Sequence, residues 1–434
     1  MNPFIKRSLC LSLLATGIKA FSATSNVATS SSSKRKEIVK NEDVPGLKNG
    51  MDYVTLGDSD LVVSKICMGT MTFGKQNTAE EGVEQLAKAF GDYGINFLDT
   101  AESEYSDNTK NVTHKKYFSA HLTLSPQKLT VYPVPTTADT QGKTDLTVAK
   151  FMKTQKREDV ILATKVSGRS ERITWLPRDQ PDTPACLEKK QILRSVDESL
   201  KRLETDYVDI IQLHWPDRYV PMFGMPDFDP AKYEEAPVPV GFEEQLEALQ
   251  EVVRAGKVRY VGVSNETPYG VCSFVSLAKQ FPELYPKIVS IQNGYSLVNR
   301  KDYECGLAEA CYHHEVGFLA YSPLAGGSLT GKYKNGVPEG ARFSMFPGFM
   351  DRYTKMAEPI DAYSEIAKRH GLTPAELALS WCYHNELVAS TIIGATKPEQ
   401  LEENLKAYDI RLTEEISDEI KKVYRKYMDP TKNM

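Results

Sequence analysis

Eight short apolar runs rich in β-branched residues punctuate the chain between residues 63 and 394, and their spacing limits the fold more than any other feature. They are Val63–Gly69, Ile95–Asp99, Val160–Lys165, Tyr207–His214, Val258–Ser264, Ile288–Gln292, Gly317–Ser322 and Ala389–Gly394. Runs of this length and composition read as strands. Between most of them lie stretches with the period of an amphipathic helix: Glu80–Tyr93, Lys189–Glu204, Phe242–Arg254, Tyr303–His314 and Pro374–His384. Strands that alternate with helices pair in parallel, because a parallel neighbour needs a crossover connection. Eight such units predict an α/β fold, a (β/α)8 TIM barrel forming a single domain over residues 51–428. An open dinucleotide-binding sheet would show G-x-G-x-x-G after its first strand, and that pattern is absent.

Composition narrows the function. Hydrophobic residues make up 41% and charged residues 26%, the balance of a soluble globular protein. No run of apolar residues is long enough to span a membrane. The formal charge of −5 is unevenly placed: residues 1–36 hold six Lys/Arg and no Asp/Glu, so the remainder carries a net −11. That does not suit a nucleic-acid binder, which needs a basic face to release counterions. Seven scattered Cys, with no C-x-x-C and no metal spacing, read as free thiols in a reducing compartment, and no metal is expected.

Residues 1–45 read as a targeting leader. Lys6 and Arg7 precede a short apolar stretch from Leu9 to Ile18, and half of residues 22–33 are Ser. The combination resembles the bipartite presequence of algae with complex plastids, with Phe21 following Ala20 at the cleavage site. A plastid location is predicted, with cytoplasm, mitochondrion and secretion as alternatives. Against secretion stands Asn265-Glu266-Thr267, a glycosylation sequon in what reads below as the active-site rim.

Barrels place their chemistry at the C-terminal ends of their strands. The second, third and fourth strands end in Asp99, Lys165 and His214. One such residue is ordinarily a solvated strand end. Three on consecutive strands converge on one side of the mouth, as a cluster of a carboxylate, an ammonium and an imidazole that perturbs pKa values.

Several motifs then occur in order over about residues 51–428: Gly69-Thr70-Met71-Thr72-Phe73-Gly74, Asp99-Thr100-Ala101-Glu102, Tyr132-Pro133-Val134-Pro135, Thr164-Lys165-Val166-Ser167-Gly168, Leu213-His214-Trp215-Pro216, Val263-Ser264-Asn265-Glu266-Thr267, Gln292-Asn293-Gly294-Tyr295, Tyr321-Ser322-Pro323-Leu324 and Gly394-Ala395-Thr396. As a set the chain resembles the aldo-keto reductase superfamily, in particular its bacterial Tas-like group. The resemblance implies NADPH-dependent reduction of an aldehyde or ketone by an Asp-Tyr-Lys-His tetrad, with Asp99, Lys165 and His214 in three of the roles. The tyrosine gives the proton. A neighbouring Lys⁺ lowers its pKa from near 10, the Asp holds the Lys, and the His orients the carbonyl oxygen.

The tyrosine departs from the family pattern D-x-A-E-x-Y. Position 104 is Glu, and Tyr105 comes one residue too late. Removing residues 103–130, a run of 28, joins Glu102 to Val131 and restores the spacing with Tyr132. Tyr132 is the catalytic candidate and Tyr105 the alternative. The inserted segment lies at the catalytic mouth and reads either as a functional loop or as a retained intron.

The resemblance also implies a cofactor site for NADP(H). Tyr295 would stack on the nicotinamide, while Ser264, Asn265 and Gln292 would bond its carboxamide. Ser322, Leu324 and Gly326 would line the pyrophosphate path. Gly394, Thr396 and Lys397 would meet the 2′-phosphate at a helix start, where free backbone N–H groups favour anions. Gln400, Glu403 and Asn404 would reach the adenine. Gly326-Gly327-Ser328-Leu329-Thr330-Gly331-Lys332 has P-loop spacing, but Tyr333 replaces the Ser/Thr that would hold Mg²⁺. Met71, Trp215 and Trp175 are candidate substrate walls, under a loop from Arg218 to Val240. A small carbonyl compound is the expected partner, with no nucleic acid and no membrane, and the chain is expected to be a monomer or weak oligomer. Two other readings stay open: a regulatory subunit like potassium-channel β-subunits, and an NADPH binder whose chemistry the insert has impaired.

Overall fold

The computed structural model describes residues 38–39, 50–74, 76–102, 142–171, 176, 184–222, 227–345 and 349–428, all within one compact unit, Lys36–Met434. The leader, the segment 103–130, Tyr105, Tyr132 and Trp175 lie outside the described residues.

Eight strands form a closed, all-parallel barrel: β1 (Ile66–Gly69), β2 (Phe97–Asp99), β3 (Ile161–Val166), β4 (Val208–Leu213), β5 (Val258–Ser264), β6 (Ile288–Gly294), β7 (Gly317–Tyr321) and β8 (Ser390–Ile393). Each pairs with its neighbour in sequence, and β8 closes on β1 through Thr391 opposite Ile66. The predicted (β/α)8 barrel is the observed fold. All eight predicted runs overlap a barrel strand, but the first is divided. Val62–Ser64 pairs antiparallel with Tyr53–Thr55 in a separate small sheet. Lys65 hands the backbone across: its N–H bonds to the carbonyl of Asp52, just before the strand Tyr53–Thr55, and its carbonyl accepts from Thr391 of β8. The predicted helix Tyr303–His314 is also divided, into Lys301–Glu304 and Leu307–His314. The break is Gly306, whose φ of +92° no helix accommodates.

Cys67, Phe97, Ile161, Ala163, Ile210, Leu319 and Ile392 form one cluster with Val54 and Val63 of the small sheet and Leu56 and Leu61 of the turn between its strands, which closes the N-terminal end of the barrel. Each fully buried aliphatic side chain contributes about 1.5–3 kcal/mol. A larger apolar layer lies between the strands and the helices. Further helices at Phe349–Arg369, Pro374–Tyr383 and Glu414–Tyr427 share a second core. Six described cysteines are free thiols, as expected. Among the described residues no helix is long and apolar enough to cross a membrane.

Towards the C-terminal end the barrel interior changes character. Side chains alternate between the two faces of a strand, so Phe97 and Asp99, Ala163 and Lys165, and Ile210 and Gln212 share interior faces. The apolar members of these pairs form the floor. The polar members stand above it.

Candidate active site

Lys165 is almost fully buried, and its Nζ is 2.5 Å from Asp99 Oδ2 and 3.0 Å from the Thr100 carbonyl. An ammonium has three N–H donors, and two are used in these contacts. The third has no partner among the described residues. Asp99 Oδ1 accepts from Gln212 Nε2 at 3.2 Å and Gln292 Nε2 at 3.0 Å. The carboxylate is thus filled on both oxygens, and the lysine is held with one donor to spare.

His214 follows β4, and its backbone N–H bonds to the Val166 carbonyl on β3, next to Lys165. Burial, and then the Lys165 charge, hold its imidazole well below the usual histidine range. The ring is therefore neutral at pH 7 and can donate from one nitrogen. A depressed folded-state pKa makes the unfolded chain take up the proton first as pH falls. The His214 contribution to stability is therefore full above about 6.5 and declines as pH drops from there towards its folded-state value. Thermal unfolding followed from pH 7.5 to 5 should show Tm falling on the acid side, with a shallower slope in His214→Gln. An identical slope in that variant would overturn the assignment of a buried neutral imidazole.

Buried side chains pin the end of β2. The Glu102 carboxylate accepts from the Ser167 N–H at 2.7 Å and from Ser195 Oγ at 2.5 Å. Thr100 Oγ1 donates to Asp145 Oδ1 at 2.9 Å, and Arg202 Nε holds Asp145 Oδ2 at 2.9 Å. Removing one partner of so buried an ion pair costs about 3–5 kcal/mol. Asp145 lies in the helix Lys143–Met152, so the chain just before residue 103 and the chain just after 141 are tied to one point. In the sequence Glu102 stood out only as a letter of a motif. Its clamp on the Lys165 strand needed the folded chain.

At the ends of β5 to β7 the expected nicotinamide residues meet, with one exception. Ser264 Oγ donates to the Gln292 carbonyl. Asn265 Nδ2 donates to the His214 carbonyl and to Ser264 Oγ, and its Oδ1 accepts from the Tyr321 hydroxyl at 2.6 Å. Ser264 and Asn265 are thus engaged within the protein. Tyr295 is the exception and corrects the sequence reading. It is 1% exposed and packs on Trp381, Tyr303 and Phe318 outside the barrel, with its hydroxyl on Glu304. The reason is strand parity: Gln292 points inward, so Tyr295, three residues on, points outward. Tyr321 lies two residues beyond inward-facing Leu319, is only half-buried, and is an aromatic at the mouth. Counting the pleat from Gln292 or Leu319 would have found it.

The backbone at this rim is unusual. Asn265, Ser322 and Ala325 have φ of +54°, +56° and +49°. Left-handed non-glycine residues cost of order 1–3 kcal/mol each and gather at functional sites. Leu324 is half-buried beside them, and Gly326 and Gly327 continue the left-handed turn, so Gly326 to Lys332 is a series of tight turns rather than a P-loop opening a helix. A Cβ on Gly327 would lie 2.7 Å from Lys332 Nζ, so that side chain folds back over Gly327. Lys332 has no carboxylate partner among the described residues, and burial lowers its pKa. An uncompensated, half-buried cation fits an anionic ligand. Sequence reading passed it over while dismissing the P-loop.

Gly394, Thr396 and Lys397 precede the helix Pro398–Lys406, whose N-cap, Lys397, makes no side-chain cap. Pro398 has no N–H, so the groups available for an anion are the N–H of Glu399 and of Gln400. Gln400 Oε1 accepts from the Thr396 N–H and hydroxyl, leaving Nε2 for a base. Glu403 accepts from Thr373. Asn404 is buried and donates to the Gly394 carbonyl, so it supports the loop from beneath and does not lie on its surface.

The aldo/keto reductase family model matches residues 65–425. The chain belongs to the aldo/keto reductase family. Among the reductases and their kin it is 39% identical to protein tas of Escherichia coli strain K12 over 385 residues, 88% of this chain and 99% of that protein. It is 40% identical to an aldo-keto reductase of Babesia bovis over 286 residues, 62% of this chain and 98% of the relative. A putative voltage-gated potassium channel subunit beta of Schizosaccharomyces pombe is 29% identical over 383 residues, 85% of this chain and 92% of the relative. As a reductase of this family the chain is an oxidoreductase, and a nicotinamide dinucleotide is the family's cofactor. The uncompensated Lys332, the uncapped helix start at Lys397 and the left-handed rim fit such a group.

Two of the three candidate substrate walls, and the start of the loop expected above them, lie among the described residues. Trp215 packs on His214 with ring centroids 4.7 Å apart, and its Nε1 donates to the Arg169 carbonyl at 3.0 Å. Met71 is 37% exposed. The loop from Arg218 is anchored by Arg218 itself, which grips both Glu266 oxygens.

Proposed function

We propose that the chain catalyses the reversible, NADPH-dependent reduction of an aldehyde or small ketone to the alcohol. The observation that carries this is the buried Lys165, fixed by Asp99 and retaining one free N–H donor beside a neutral His214. When bound, the dinucleotide supplies a hydride to the carbonyl carbon. Tyr132 gives its phenolic proton to the carbonyl oxygen, and Lys165 stabilises the phenolate left behind. His214 donates a hydrogen bond to the same oxygen and fixes its direction. The phenolate regains its proton from solvent, and the alcohol leaves. Trp215, packed against His214 at a tilt, and Met71 favour a small, largely apolar substrate.

Preference for NADPH over NADH rests on Lys397, the cation at the helix start where the 2′-phosphate, the one group NADH lacks, would lie. Initial rates with 4-nitrobenzaldehyde should favour NADPH by about tenfold or more in kcat/KM, the value of one charge-assisted contact. Lys397→Ala should erase much of that preference. Equal rates with both cofactors would overturn it. Tight NADPH binding with no turnover of any aldehyde would instead favour the regulatory reading that the channel-subunit relative suggests.

A further inference from the structure

Interior side chains of a (β/α)8 barrel lie in layers drawn from alternate strands. Asp99, Gln212 and Gln292 come from β2, β4 and β6, and all three are at most 4% exposed. They form one such layer, and it is polar. Asp99 Oδ1 can only accept, so both glutamines turn Nε2 towards it, at 3.2 and 3.0 Å. Gln292 Nε2 also reaches Gln212 Oε1 at 3.3 Å. Both N–H groups of Gln292 are thereby spent inside the layer. Its Oε1 has no donor among the described residues. On the strand between, Gly262 leaves the room: a Cβ there would lie 2.4 Å from Ser290 Oγ and 3.3 Å from Gln212 Cγ.

We propose that Gln212 is a positioning residue: together with Asp99 it fixes which way round Gln292 carries its amide, so that Gln292 presents a carbonyl oxygen, never an N–H, to the cofactor's nicotinamide carboxamide. The inference rests on the dinucleotide reading above. The carboxamide's N–H₂ is the donor that this acceptor selects. Without Gln212, the second Gln292 N–H is left buried and unpaired, a state that side chains leave by rotating. Gln212 itself touches no ligand and acts through Gln292.

The test compares ligands with and without a nicotinamide on the intact protein. Gln212→Met keeps the volume and removes the amide. Its Kd for NADPH, read by fluorescence, should rise about tenfold, as for one buried hydrogen bond misdirected. Its Kd for adenosine 2′,5′-bisphosphate, which has no nicotinamide, should stay within about twofold of wild type. Parallel weakening of both ligands would show a merely structural role and overturn the proposal, as would no weakening of either. A measurement on the wild type covers the case of a variant that does not fold. The NADP analogue with an acetyl group replacing the carboxamide lacks the N–H donors and should bind about tenfold more weakly than NADP. Equal binding overturns the proposal. A wild type that binds neither NADPH nor the bisphosphate overturns the cofactor reading itself, and this inference with it.

Discussion

Lys165→Met is expected to lower kcat for carbonyl reduction by about a thousandfold, the scale on which positioned proton-transfer groups act. The methionine has similar length and no charge. It cannot use the third N–H of Lys165, the donor left over after Asp99 and the Thr100 carbonyl take the other two. The phenol that must release a proton then returns towards its ordinary pKa near 10. The single change also strands the buried Asp99 carboxylate, at a cost of about 3–5 kcal/mol. The double variant Asp99→Asn/Lys165→Met separates the two effects, because it removes both charges. Urea unfolding should show the double variant more stable than Lys165→Met alone, while single-turnover rates stay low in both. Retention of more than a tenth of wild-type turnover in a folded Lys165→Met protein would overturn the role assigned to the lysine.

Tyr132→Phe is expected to lower turnover by a similar factor, whereas Tyr105→Phe should leave it within about twofold. The two tyrosines are offered by one irregular stretch of sequence, and register separates them: only Tyr132 stands five places from Asp99 once residues 103–130 are set aside. The surrounding structure favours tolerance of that excision. Thr100 and Asp145, on either side of the stretch, are 2.9 Å apart at their side chains, and Arg202 holds Asp145 from the helix Lys189–Leu203. Glu102 is fixed separately on Ser167 and Ser195. The stems therefore meet without help from the residues between. A protein lacking residues 103–130 should fold and reduce nitrobenzaldehyde at a rate equal to the full chain or above it. Loss of activity in Tyr105→Phe with Tyr132→Phe unaffected would transfer the role to Tyr105. Sequencing the transcript across codons 99–135 shows which of the two proteins the cell makes.

Much of the scaffold was legible because its signals are local. Eight apolar runs with helices between them specify parallel pairing, and strand ends specify a mouth, so Asp99, Lys165 and His214 are found together by counting strands. Where local signals conflicted, contacts distant in sequence decided. Val63–Gly69 reads as one strand, yet Lys65 bonds to Asp52 on one side and Thr391 on the other and divides it between two sheets. Tyr295, just after β6, and Tyr321, the last residue of β7, both precede a Ser. Pleat parity sends the first outward onto Trp381 and the second inward to Asn265.

By itself the sequence determined the barrel, the order of its strands and the three charged or titratable side chains at its mouth. These depend on periodicity and on position within a strand, which are properties of neighbouring residues. Only the tertiary structure decided which groups complete them. Closing the barrel brings Gln212 from β4 and Gln292 from β6 onto the carboxylate of β2. Folding Lys332 back over the left-handed Gly327 leaves a cation with no carboxylate partner among the described residues. The two glutamine contacts join residues 113 and 193 positions apart, and a hydrogen bond or an uncompensated charge exists only once folding has set the distance.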